Sequence, residues 1–132
     1  MPGLLKLLSL LKDKNLKIAI ASNSSHNGIS FNIEKIGISN YFDEIISGEY
    51  VGKWKPEPDI YLETAKRLGL YPSECLVLED SQSGVESGER AEMKVIAVPS
   101  KYTKHQDFSK ADLVVKSLED LSWERISELF ND

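Results

Sequence analysis

Four short apolar runs separated by segments of helical spacing constrain this chain more than any other feature. The runs are Leu16–Ala21 (LKIAIA), Cys75–Leu78 (CLVL), Lys94–Val98 (KVIAV) and Asp112–Lys116 (DLVVK). Runs this short and apolar read as strands buried on both faces, and strands alternating with helices read as βαβ units. The pattern therefore predicts an α/β fold, an open parallel sheet with helices on both faces. In such sheets ligands bind at the carboxyl ends of the strands, which directs attention to the residues that follow each run.

The helical segments carry start and stop signals. Leu4, Leu5, Leu8 and Leu11 repeat at helical spacing, and Lys6 and Lys12 interrupt the stretch, which is far shorter than the ~20 apolar residues a membrane-spanning helix needs. A second helix is predicted from about His26 to Ile36, stopping at Gly37. Tyr41–Ser47 reads as a weak helix or a short strand, and Gly48–Pro58 as a loop. Ile60–Leu68 reads as a helix led by Pro58-Asp59 and closed by Gly69. Ser83-Gly84-Val85-Glu86 fits a capping box, so a helix is predicted to start there. The last helix is expected over Leu121–Phe130. Cys75 reads as a small core residue, Trp54 and Trp123 as packing groups, and His26 and His105 carry no assigned role.

At 132 residues the sequence predicts a single domain over 1–132. A net charge of -5 with no block of Lys or Arg argues against a nucleic-acid partner. The absence of an apolar span argues against a membrane partner. The single cysteine, Cys75, cannot form an intrachain disulfide, which suits a reducing compartment, and a cytoplasmic location is expected.

Three strand ends carry candidate chemistry. Ser22-Asn23-Ser24 follows the first run, and hydroxyls and backbone N–H groups at a helix start suit an anion such as phosphate, although a plain helix cap by Ser24 or Ser25 accounts for them too. Lys55 sits in the Pro-flanked loop GKWKPEPD, where a cation can be aimed at a phosphate or carboxylate or simply be solvated. Glu79-Asp80 ends the run LVLEDS, where the pair can cap the next helix or supply the hard oxygen ligands that Mg²⁺ takes.

In this order, IAIASNS, GKWKPEPDIY, CLVLEDSQSGVESG and MKVIAVP resemble the haloacid dehalogenase superfamily, in particular its beta-phosphoglucomutase-like and phosphoglycolate-phosphatase-like branch. The resemblance implies a Rossmann-like core and Mg²⁺-dependent phosphoryl transfer on a small phosphorylated metabolite. It gives Ser22 and Lys55 catalytic roles, Asn23 and Ser24 contacts to substrate, and Glu79 and Asp80 the metal. It also implies what is missing. The family's nucleophile is the first Asp of an Asp-x-Asp at the end of the first strand, and no Asp-x-Asp occurs in this chain; Asp13 follows no apolar strand and is no substitute. The helical cap is expected to be absent as well, so the sequence reads as the C-terminal part of a family member, starting after the cap.

The resemblance places the missing strand between those ending at Ser22 and Asp80. Those two are then expected to pair directly, to recruit a strand from another chain, or to leave backbone groups unpaired, with self-association as one outcome. Glu92 stands where the family often has Gly, so the end of the preceding helix is expected to be poorly capped, and Gly88 is expected to weaken that helix. A non-catalytic phosphate- or Mg²⁺-binding remnant acting as an assembly module is the alternative. A receiver domain is excluded by the order hydroxyl, lysine, acid pair, and a dinucleotide-binding domain by the lack of Gly-x-Gly-x-x-Gly after a strand.

Overall fold

The computed structural model describes residues 2–131. Its elements alternate as the sequence predicts: α1 (Leu4–Asp13), β1 (Ala19–Ser22), α2 (His26–Lys35), β2 (Glu44–Ser47), α3 (Gly48–Val51), α4 (Asp59–Leu68), β3 (Leu76–Glu79), α5 (Gln82–Arg90), β4 (Lys94–Ala97), β5 (Leu113–Val114) and α6 (Trp123–Glu128). Every strand pairing is parallel.

The strands form two sheets, β1-β2 and β3-β4-β5, with no hydrogen-bonded ladder between them. Side chains alternate between two helical layers, as strand geometry requires. Ile46, Val77, Val95 and Ala97 pack with Ile60, Tyr61 and Ala65 of α4 and Val85 of α5. On the opposite face Ile96 and Val98 pack with Leu7 of α1 and Ile126 of α6, and Ile18 packs with Leu8 of α1 and Ile33 of α2. Consecutive leucines of α1 thus serve different sheets, Leu7 one and Leu8 the other, so α1 spans both from one side. A single core cluster joins Ile46 of the first sheet to Val77 of the second on the other side.

Backbone parity locates the unpaired edges. Asp43 N–H donates to Ile18 O at 2.6 Å, so Ile18, and in register Ile20 and Ser22, turn toward β2. Cys75 and Glu79 carbonyls accept from Lys94 and Val98, so Cys75, Val77 and Glu79 turn toward β4. The backbone groups of Ala19 and Ala21 on β1, and of Leu76 and Leu78 on β3, therefore point away from their sheets. Within the chain, therefore, the strands ending at Ser22 and at Glu79 do not pair directly, and each keeps one edge without a ladder. Burial agrees: all four residues of β1 are only half-buried, whereas Val95, Ile96 and Ala97 of β4 are fully buried.

Several local expectations are corrected. Gly48–Pro58 is not loop throughout, because Ser47 caps the short helix α3 and Gly52 closes it at φ 76°. Helix α5 starts at Gln82 rather than at Ser83: Ser81 leaves β3 in an extended conformation and its hydroxyl accepts the Gly84 N–H at 3.2 Å. Glu86 is not the reciprocal half of a box but accepts from the Gln82 amide. Tyr41–Ser47 resolves into a turn and the strand β2, and α6 is shorter than Leu121–Phe130. Gly88 has a packing role, since a Cβ there would lie 2.8 Å from Val95 Cγ2 and 3.2 Å from Val77 Cγ2. Glu92 adopts φ 63°, the left-handed conformation that ends the turn after α5 and that glycine tolerates best.

Candidate functional site

The site gathers at the carboxyl ends of β1 and β3. β1 ends at Ser22, and its hydroxyl accepts the Ser24 N–H at 3.1 Å, folding the Ser22–Asn23–Ser24 turn back on itself. Ser25, not Ser24, caps α2 by accepting from Gly28 N–H at 3.1 Å. The turn is tied to its neighbours as well. Ser47 at the end of β2 donates to Ser24 O at 2.6 Å, and Asn23 Oδ1 accepts the Lys55 N–H at 3.4 Å. Gly48 allows this approach, because a Cβ there would lie 2.8 Å from the Trp54 ring and 3.1 Å from Asn23 Oδ1.

Lys55 is the cation between the two sheets. Its ammonium donates to Ala21 O at 3.1 Å, one of the carbonyls that β1 leaves unpaired, and to Glu79 Oε1. Both side chains are nearly buried, at 10% and 8% exposure, so this ion pair lies outside the solvent-screened class. The carboxyl ends of β1 and β3 thus meet at one lysine. Asp80, the next residue, is exposed.

Sequence reasoning missed Tyr61. Its ring lies in the core, 7% exposed, while its hydroxyl donates to Glu79 Oε1 and the Lys55 ammonium sits 5.0 Å from the ring centroid. Burial, and then the charge of Glu79, push the phenol well above its usual pKa, so it stays protonated and acts as a donor. The signal available in the sequence was its position two residues after the loop's final Asp59, at the start of an otherwise apolar helix face. Gly84 completes the enclosure of Glu79, since a Cβ there would overlap the Glu79 carboxylate.

Lys55 therefore links Asn23 and the Ala21 carbonyl at the end of β1 to Glu79 at the end of β3; Ser22 and Asp80 are the chain neighbours of Ala21 and Glu79, and Ser24 is tied through its carbonyl to Ser47. Among the described residues no group of three or more metal-ligating side chains occurs. A Glu-Asp pair still fits Mg²⁺, which uses one or two carboxylates and completes its shell with phosphate oxygens and water. Two hollows of the described surface lie along α1 beside Leu4, Leu5 and Leu10 and between Ser73, Lys94 and Phe130, away from the shelf of residues at the strand ends. Cys75 is half-buried and its thiol is pushed up by burial and by Glu74, in keeping with a packing role.

A parallel α/β core with its polar cluster at the strand carboxyl ends is the class of domain that fold and site define. The chain belongs to the haloacid dehalogenase-like hydrolases, whose family model matches residues 1–98. It is 43% identical over 126 residues to the bifunctional riboflavin kinase/FMN phosphatase of Arabidopsis thaliana, covering 95% of this chain and 33% of that protein. To the beta-phosphoglucomutase of Bacillus subtilis it is 34% identical, over 97% of this chain and 54% of that one. Among solved structures, CbbY from Rhodobacter sphaeroides in complex with phosphate superposes with a TM-score of 0.87 at 30% identity, over 92% of this chain and 55% of that one. The chain thus spans about half the length of such relatives, or less. Among the described residues no helix is long and apolar enough to cross a membrane.

Proposed function

We propose that the shelf is the larger part of a Mg²⁺-dependent phosphoryl-transfer site for a small phosphorylated metabolite, of phosphatase or phosphomutase type. The observation that carries this reading is Lys55, held by Ala21 O and Glu79 where the ends of β1 and β3 converge. A lysine so fixed offers a stationary positive charge to a phosphoryl group, and stationary charge is what such reactions need most. The Ser22 hydroxyl has a proton to donate to a phosphoryl oxygen, and the backbone of Asn23 and Ser24 lines the same turn. The Glu79–Asp80 pair would hold Mg²⁺ directly or through water, and bound Mg²⁺ would neutralise phosphate charge. No residue here supplies the nucleophile, because the chain has no Asp-x-Asp.

The expected outcome is that the pure 132-residue chain hydrolyses p-nitrophenyl phosphate no faster with Mg²⁺ than without, while Mg²⁺ titration perturbs the Asp80 amide signal in NMR. Robust Mg²⁺-dependent hydrolysis would refute the inactivity of the chain, and an unresponsive Asp80 would refute the metal site.

The unpaired edges support a second reading, an assembly module that associates through its incomplete sheet. Light scattering decides it: mass rising with concentration supports the reading, and a strict monomer removes it.

A further inference from the structure

Tyr61 closes the stretch GKWKPEPDIY but carries no assigned role in it, and its ring needs no explanation beyond the core it fills with Ile60, Ala65, Val77 and Val85. Its hydroxyl does need one. A buried phenol needs a hydrogen-bond acceptor, and a neutral backbone carbonyl would serve. Here the acceptor is instead the oxygen of Glu79 that already holds Lys55.

The geometry leaves the Glu79 carboxylate little freedom. One oxygen takes two donors, the α5 backbone at Gly84 closes the other side, and the whole side chain is 8% exposed. Lys55 is confined in turn by Ala21 O and by the Tyr61 ring beside it. Asp80, by contrast, is exposed at the strand end.

We propose that Tyr61 is a positioning residue: its hydroxyl fixes Glu79 as the counter-ion that aims Lys55 at the end of β1, so that the adjacent carboxylates divide their work. Glu79 faces the lysine, and Asp80 faces the cation. The role of Lys55 toward a phosphoryl group rests on the phosphoryl-transfer reading, but the link from Tyr61 through Glu79 to Lys55 does not. Tyr61→Phe removes the hydroxyl and keeps the buried ring, so it separates positioning from packing.

The experiment reads the Lys55 ammonium directly, by ¹⁵N NMR of the lysine-labelled chain, with Lys55→Met to assign the signal. In the unsubstituted chain the ammonium protons should exchange slowly with water. In Tyr61→Phe they should exchange at least five-fold faster while the backbone spectrum stays folded, and in Glu79→Gln the slow signal should vanish. Unchanged Lys55 exchange in a folded Tyr61→Phe, with loss in Glu79→Gln, overturns the proposal. Should Tyr61→Phe not fold, the unsubstituted chain still decides: a slowly exchanging Tyr61 hydroxyl proton supports the link, and its absence overturns it. Titration with Mg²⁺ alone tests the division of labour. Asp80→Asn should abolish the response; a response retained in Asp80→Asn overturns the division. An unsubstituted chain that ignores Mg²⁺ overturns the phosphoryl-transfer reading and leaves the Lys55 result to decide Tyr61.

Discussion

Single residues show where the backbone is satisfied and where it is strained. Gly37, Gly52 and Gly69 take up positive φ at or just past the ends of α2, α3 and α4, where a side chain would be costly. Glu92 holds the same kind of conformation without that freedom, at φ 63°. The left-handed conformation costs a non-glycine residue about 1 to 2 kcal/mol, and the greater chain entropy of glycine offsets roughly 0.5 to 1 kcal/mol of any relief. Glu92→Gly is therefore expected to stabilise the fold by roughly 0.5 to 1 kcal/mol, read as a higher urea midpoint at unchanged slope. Gly88 teaches the opposite lesson. Read from sequence it is a weakness in α5, but the 2.8 Å approach of Val95 Cγ2 shows that the helix lies against the sheet only because no side chain intervenes.

Among elements, what was legible in the sequence was the alternation of strands with helices and the strand ends. IAIAS and LVLED announce strands that stop at polar residues, and Lys55 does bridge their ends, from the Ala21 carbonyl to Glu79. Illegible were features set by contacts distant in sequence. Tyr61 reads as one more apolar helix residue until Glu79 is placed over its hydroxyl, and the cap of α5 falls on Ser81, which leaves β3 in an extended conformation. The β1-β2 ladder shows a further such contact at its start. The Asp43 carboxylate accepts the Ile18 N–H at 2.7 Å and lies 3.3 Å from the Lys12 ammonium. That backbone bond first, and Lys12 after it, hold the carboxyl below its usual pKa. A carboxyl with a lowered folded pKa adds stability that is present above its unfolded pKa and lost as pH falls through the folded value. Stability should thus decline below about pH 4, and Asp43→Asn, whose amide oxygen still accepts from Ile18, should flatten that part of the curve. Because Asp43 is 40% exposed, the effect is small and weakens with salt. Chemical denaturation at stepped pH measures it.

For the whole molecule, the arrangement of the sheets matters more than any one contact. Parallel strands are normally buried on both faces and paired on both edges, yet β1 and β3 each leave one edge without a ladder. Two helical layers hold the halves together all the same: α1 sets Leu7 against one sheet and Leu8 against the other, and the α4 side joins Ile46 to Val77. The fold therefore relies on helix packing where a continuous sheet would rely on hydrogen bonds, and Lys55 is a polar link across that division, bonded to the β1 carbonyl of Ala21 and to Glu79. Native-state hydrogen exchange resolves this arrangement amide by amide. Ala19, Ala21, Leu76 and Leu78, whose N–H groups face away from their partner strands, should exchange roughly tenfold or more faster than Val77 and Ile96, which donate within the β3-β4 ladder. Equal protection of both sets would mean that the two sheets join in solution. Protection of the four edge amides that appears only as concentration rises would mean that a second copy covers the edge, which is the behaviour the assembly reading requires.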